Sequence, residues 1–141
     1  MSHPPPRIVE PTEELTITSN DEVVIVRQKV RAAAIELGFS LIDQTKVVTA
    51  ASELARNTLV HAGGGHARIE ILDRGGRRGL RLVFGDNGPG IADLNLALTD
   101  GWSSGGGLGL GLSGSRRLVD EFELDSEPGR GTVVTVTKWT R

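Results

Sequence analysis

The chain has no cysteine, which excludes disulfides and thiolate-bound zinc and allows a reducing compartment. It has no basic surplus either. With 16 Lys and Arg against 18 Asp and Glu, the formal charge is -2, so there is no electrostatic footprint for nucleic acid or for an anionic membrane. The expected partners are nucleotides or proteins. No apolar run approaches the roughly 20 residues of a membrane helix, and the opening MSHPPPRIVEP lacks the basic and apolar regions of a signal peptide. A cytoplasmic, soluble protein is expected. Gly-Lys-Ser/Thr is missing, which rules out a P-loop, and three scattered histidines (His3, His61, His66) make no metal site.

What the chain does have is glycine, gathered in one region. From Asp86 to Gly114 the sequence reads DNGPGIADLNLALTDGWSSGGGLGLGLSG, with Gly105, Gly106, Gly107, Gly109, Gly111 and Gly114 interleaved with Leu108 and Leu110. Glycine in a helix interior costs about 1 kcal/mol relative to alanine, so such density serves a local need. The usual need is bare backbone whose N–H groups approach a ligand, most often a phosphate.

The 141 residues, 38% hydrophobic, fit one compact domain. Residues 1–12, with four of the six prolines, read as a flexible lead-in, and 13–141 as a single domain. Glu13 to Thr18 alternates like an edge strand. Asn20 or Asp21 can cap a helix with apolar positions Val23, Val26, Val30, Ala33, Ala34 and Leu37, ended by Gly38, although its opening VVIV also suits a strand. Ser40 and Asp43 match a capping box for a second helix reaching about His61. That helix spaces Glu53, Asn57 and His61 four residues apart on one flank, with Val47, Val48, Ala51, Leu54, Ala55 and Leu59 suited to the core. Strand patterns follow at 67–72 and 80–84, then a short helix at 113–119 and strands at 122–126 and 132–139. The short turns between neighbouring strands predict an α+β two-layer sandwich: a mixed, mostly antiparallel sheet with helices on one face.

Individually, the glycine motifs are ambiguous. Gly109, Gly111 and Gly114 match G-x-G-x-x-G, but a dinucleotide site should directly follow the first strand of a parallel βαβ unit, and here TDGWSSGG precedes the motif. Asp86-Asn87-Gly88 standing alone reads as a hairpin turn, and the later cluster as a flexible linker. Leucines among its glycines are unlike a solvated linker.

In combination the motifs are specific. Glu53-x-x-x-Asn57 on a helix, Asp86-x-Gly88-x-Gly90, the Gly105–Gly111 cluster opening a helix, and Gly129-x-Gly131-Thr132 opening the last strand have the order and spacing of the GHKL ATPases. The chain resembles that superfamily (the Bergerat fold) in its N box, G1 box, glycine-rich ATP lid and G3 box. SELARN (52–57), DNGPGI (86–91), the stretch 100–126 and GRGTVVTVTKW (129–139) look most like the RsbT-type serine/threonine kinases of bacterial stress signalling.

The resemblance implies ATP and Mg²⁺ as cofactors. Asn57 would coordinate Mg²⁺, since one neutral side-chain oxygen plus phosphate oxygens and waters suffices for this ion. Glu53, one turn earlier, would accept the proton of an incoming serine or threonine hydroxyl. Asp86 would accept a hydrogen bond from the adenine amine, where guanine presents an oxygen. The family pattern adds Thr132 as support for that contact, and Gly88 and Gly90 as positions that let the backbone approach the ring. Gly105, Gly106, Gly107, Leu108, Gly109, Leu110 and Gly111 would offer N–H groups to the phosphates and close over them with ATP bound. A packing or surface role is expected for His61, and a solvated face for Arg116 and Arg117. Trp102 would contact a partner. Gly85, standing before Asp86, departs from the pattern and could loosen the strand end. The implied substrate is a STAS-domain antagonist or scaffold protein, and the released kinase would activate a PP2C-type phosphatase. An anti-sigma factor kinase, or a nucleotide-switched binding module without transfer, is the alternative.

Overall fold

A computed structural model describes residues 5–9, 12–90 and 111–141. Among these, the order is β1 (Arg7–Ile8), β2 (Glu13–Ile17), α1 (Asn20–Glu36), α2 (Leu41–Ala62), β3 (Gly65–Arg74), β4 (Arg77–Asp86), α3 (Gly111–Arg117), β5 (Glu121–Glu127) and β6 (Gly131–Trp139). The strands form one six-stranded sheet in the order β1-β3-β4-β6-β5, with β2 also pairing with β3, and every pairing is antiparallel. The α+β sandwich expected from the sequence is the observed one. Residues 7 and 8, within the expected lead-in, are tied to the sheet opposite Asp73 and Leu72.

Local chemistry sets the helix ends. Ser19, rather than Asn20 or Asp21, caps α1; its hydroxyl accepts from Glu22 N at 3.3 Å. Glu22 reaches back to the Thr18 amide at 2.7 Å and to the Thr16 and Thr18 hydroxyls, a box shifted by one residue. Those donors, Thr16 first, hold the Glu22 carboxyl below its ordinary range. The helix ends as expected at Gly38: with Gly38 at φ +80°, Gly38 N bonds to Ile35 O and Phe39 N to Ala34 O, a Schellman motif. The VVIV segment is helical because Val26 and Val30 fall on the same buried stripe.

Ser40 caps α2, accepting from Asp43 N at 3.1 Å, but the capping box is only half made. The Asp43 carboxylate turns instead to Arg141 Nε at 3.1 Å and to Lys138 Nζ at 3.6 Å. Lys138 is only 2% exposed and also lies 3.9 Å from Asp120. Burial raises the Asp43 pKa, yet the Arg141 hydrogen bond and the two cationic charges outweigh it, so the carboxyl lies below its ordinary value.

The β3–β4 hairpin closes on Gly75 and Gly76, both at positive φ, as a two-residue turn requires when it follows the strand twist. The helix-facing side of the sheet carries Ala67 and Ile69, Leu80, Leu82 and Phe84, and Val134 and Val136. Val26, Val30 and Ala34 of α1 and Val47, Val48, Ala51, Leu54 and Ala55 of α2 close the core from the other side. No helix among the described residues is long and apolar enough to cross a membrane.

Candidate functional site

The site is a transverse row of side chains at one end of the sheet, on the face covered by helices. Register places Asp86 opposite Thr132, and Thr132 opposite Ser126. Because side chains alternate along a strand, residues two apart from core positions Phe84, Val134 and Leu124 share their face, and the row is continuous across β4, β6 and β5.

Asp86 is held rigidly. Its Oδ1 accepts from Gly88 N at 2.9 Å and from Thr132 N at 3.2 Å, while Oδ2 accepts no hydrogen bond among the described residues. Thr132 Oγ1 lies 2.8 Å from Ser126 Oγ, which also donates to the Gly131 carbonyl at 3.1 Å. Ser126 was not singled out by sequence. Its only signal is its place in an alternating strand opposite Thr132, and that needs the register.

The glycines have an internal reason as well as the expected one. A Cβ on Gly88 would come 2.6 Å from Ala62 Cβ at the end of α2. On Gly90, at φ +75°, it would overlap the Glu127 carbonyl, and on Gly131, at φ +91°, the Asp86 carbonyl. Segment 87–90 is thus pinned between α2 and the β5–β6 turn, where Gly129 N also donates to Pro89 O at 2.8 Å. Asp86-Asn87-Gly88 is no hairpin turn: β4 pairs with β3 and β6, and not with β5, the next strand described along the chain.

Gly65 lets Thr58 of α2 and Asp86 of β4 close on one point. A Cβ there would meet Thr58 Cγ2 at 2.7 Å and Asp86 Cβ at 3.1 Å. Gly85 does not loosen the strand end, because the His66 imidazole covers it; a Cβ on Gly85 would lie 2.8 Å from His66 Nε2. His66 belongs to β3 and pairs with Gly85.

Glu53 and Asn57 are half-buried on α2, one turn apart, and His61 is exposed beyond them. Asn57 directly precedes Thr58, whose methyl reaches Gly65 beside Asp86, so the α2 flank and the sheet row adjoin. Gly111 opens α3, and Leu112 and Ser115 of α3 are buried, with Leu112 in the core cluster. Gly105, Gly106, Gly107, Leu108, Gly109 and Leu110, with Trp102, lie outside the described residues. Arg116 and Arg117 are exposed on α3, as expected. Among the described residues no group of three or more His, Cys, Asp or Glu could hold a metal. The neutral amide oxygen of Asn57 on α2 fits an ion that takes its other ligands from phosphate and water, as Mg²⁺ does.

The family described as histidine kinase-, DNA gyrase B-, and HSP90-like ATPase matches residues 42–140. The chain belongs to this ATPase family. It is 47% identical over 120 residues to the serine/threonine-protein kinase RsbT of Bacillus subtilis, covering 85% of this chain and 90% of that one. It is 29% identical over 128 residues to an anti-sigma F factor of Clostridium kluyveri, covering 86% and 89%. Two solved structures share the fold of this ATPase. The RsbU and RsbW domains of a Mycobacterium tuberculosis protein align with TM-score 0.61 at 22% identity over 92% of this chain and 33% of that one. The mycobacterial sensor histidine kinase MprB aligns with TM-score 0.54 at 20% identity over 92% and 97%.

Proposed function

We propose that this ATPase-family chain is a serine/threonine protein kinase of a bacterial partner switch, transferring the γ-phosphoryl group of ATP to a hydroxyl on another protein. The observation that carries the reading is the Asp86 carboxylate, fixed through one oxygen by two backbone N–H groups with the other oxygen unpartnered among the described residues, beside a helix bearing Glu53 and Asn57. The 47% identity to a kinase of this kind over most of both chains supports it.

Asp86 Oδ2 accepts from the exocyclic amine of adenine, and Thr132 supports it. The Gly105–Gly111 backbone receives the phosphates. Asn57 would hold Mg²⁺, which would supply neutralisation of the charge developing on the phosphates. Glu53 takes the proton released by the acceptor hydroxyl as its oxygen attacks phosphorus and the bond to the departing ADP oxygen breaks. The protein substrate is a STAS-domain antagonist or scaffold, and the freed kinase activates a PP2C-type phosphatase.

Incubation with radiolabelled ATP, Mg²⁺ and a STAS-domain protein tests the reading. Transfer is expected with the natural chain and is lost in Glu53→Ala, which retains ATP binding. ATP binding without transfer to any STAS protein would instead favour a nucleotide-switched binding module. The similarity to anti-sigma F factors supports a second reading, in which the same site serves a kinase that sequesters a sigma factor. Co-purification with a sigma factor rather than a phosphatase separates the two.

A further inference from the structure

We propose that the end of the molecule opposite the Asp86 row is the surface that holds the PP2C-type phosphatase, by way of an amphipathic helix of that partner whose apolar ridge is flanked by acidic residues. The proposal rests on the partner-switch reading above and adds where the second partner sits. Apolar side chains gather at this end without cover from the described residues. Leu41 and Ile42, in the first turn of α2, are 73% and 69% exposed, and Ile35, in the last turn of α1, is 56% exposed. The Ser40 cap requires neither aliphatic, and Asp43 beside them turns inward to Lys138 and Arg141. On the other side of the α1 end, a groove of about 490 Å³ is lined by Ala33, Leu37, Ile69 and Ile71, together with the exposed Glu36 and Arg78. Contacts knit patch and groove into one end: Arg78 O accepts from Thr140 N at 2.9 Å, and the next residue, Arg141, reaches Asp43 beside Ile42. Scattered single aliphatics are ordinary on a surface, but a cluster beside a groove marks a contact site.

This end is basic, on a chain whose formal charge is -2. Arg78 in the groove, Arg31 one helical turn before Ile35, and Lys46 one turn after Ile42 have side chains with no hydrogen bond or ion pair among the described residues. The acids nearby are mostly committed. Asp43 goes to Lys138 and Arg141, Glu13 to Lys29 at 3.1 Å, and Asp73 to the Gly76 amide at 3.0 Å, which leaves Glu36. An acidic flank therefore meets free cations on either side of the aliphatics, while an apolar ridge meets the aliphatics and the groove. Such a partner is not the phosphoryl acceptor. Leu41 lies about 18 Å along α2 from Glu53, and Arg78 about 26 Å along β4 from Asp86. An acceptor hydroxyl has to come within about 3.5 Å of phosphorus, so a helix seated here leaves Glu53 and Asn57 open. A protein that is activated rather than phosphorylated fits that place.

The test measures binding of the PP2C-type phosphatase by calorimetry, and transfer to a STAS-domain protein from radiolabelled ATP, for the natural full chain, Leu41→Ser/Ile42→Ser and Arg78→Glu. The double variant is expected to bind the phosphatase about 30-fold more weakly, the loss of one anchor residue of an interface, with transfer and Mg-ATP affinity unchanged. Arg78→Glu is expected to weaken phosphatase binding about tenfold at low salt and less as salt rises, because a rim charge acts through its field. Unchanged phosphatase affinity in either folded variant overturns the proposal. So does loss of STAS transfer at unchanged ATP affinity, which would make this the acceptor's docking face. A concentration-dependent dimer of the natural chain that the double variant abolishes also overturns it, since the occupant would then be a second copy. Arg78→Glu leaves the backbone bonds of that residue in place and carries the comparison if the double variant does not fold. A natural chain that transfers phosphate to the STAS protein but binds no PP2C-type phosphatase overturns this proposal and leaves the kinase reading standing; one that does neither overturns the kinase reading with it.

Discussion

One oxygen of Asp86 is anchored by the amides of Gly88 and Thr132, and this division of labour within a single carboxylate makes the residue testable apart from the fold. Asp86→Asn can keep an oxygen for both amides, but its nitrogen would face the amine of adenine as a second donor. ATP affinity is expected to fall roughly 100-fold, the upper range for a hydrogen bond to a charged group, with the melting temperature nearly unchanged. Isothermal calorimetry and thermal unfolding of one preparation check both halves. Gly131 is the reverse case. With φ at +91° and the Asp86 carbonyl where a Cβ would have to stand, Gly131→Ala is expected to lose about 1–3 kcal/mol of stability, read as a lowered urea midpoint. Sequence marked Asp86, Thr132 and Gly131 because family spacing singles them out. Ser126 and Gly65 carried no such mark, since their neighbours are 6 and 21 positions away in the chain and meet them only through strand register and helix packing.

At the scale of elements, α2 joins the two ends of the sheet. Its C-terminal half adjoins the Asp86 row, and its first turn is tied through Asp43 to Lys138 and Arg141 at the far end of β6. The Asp43 pKa is lower in the folded state than in the unfolded chain. Its contribution is therefore fully present above the unfolded value of about 3.9 and is lost as pH falls through the lower folded value. Asp43→Asn is expected to cost about 3 kcal/mol at neutral pH, because it leaves the buried Lys138 ammonium with Asp120 alone. The gap to the natural chain should narrow below about pH 4; denaturant melts across pH 2–7 would show a constant gap if the assignment were wrong. The elements themselves were largely legible: the Gly38 stop, the Gly75–Gly76 hairpin and both buried helix stripes follow from periodicity and turn chemistry. The capping boxes were less so. Ser19-x-x-Glu22 was present but overshadowed by the Asn20-Asp21 pair, and Asp43 matched a box whose carboxylate a distant lysine and arginine had claimed.

For the whole molecule, a ligand that binds only the folded state raises its apparent stability by mass action. Mg-ATP at about 100 times its Kd should add about 2.7 kcal/mol, and NAD should add nothing. Asn57→Ala is expected to fold normally and to lose that protection, since α2 packs through Leu54, Ala55 and Thr58 rather than through Asn57. Normal protection of Asn57→Ala by Mg-ATP in a thermal melt would remove Asn57 from the metal site.

The amino-acid order by itself determined which of the longer segments are helix or strand, though not β1 or the VVIV opening of α1, which faces are apolar, and which family the motifs belong to, because these depend on periods of two and 3.6 residues and on short spacings. Only the tertiary structure decided which oxygen of Asp86 is occupied, why Gly65 and Gly88 must lack side chains, and that Lys138 is buried against Asp43. Those are contacts between residues 2 to 95 positions apart along the chain, and their energies come from hydrogen-bond direction and close packing, which exist only once the strands are in register and the helices lie on the sheet.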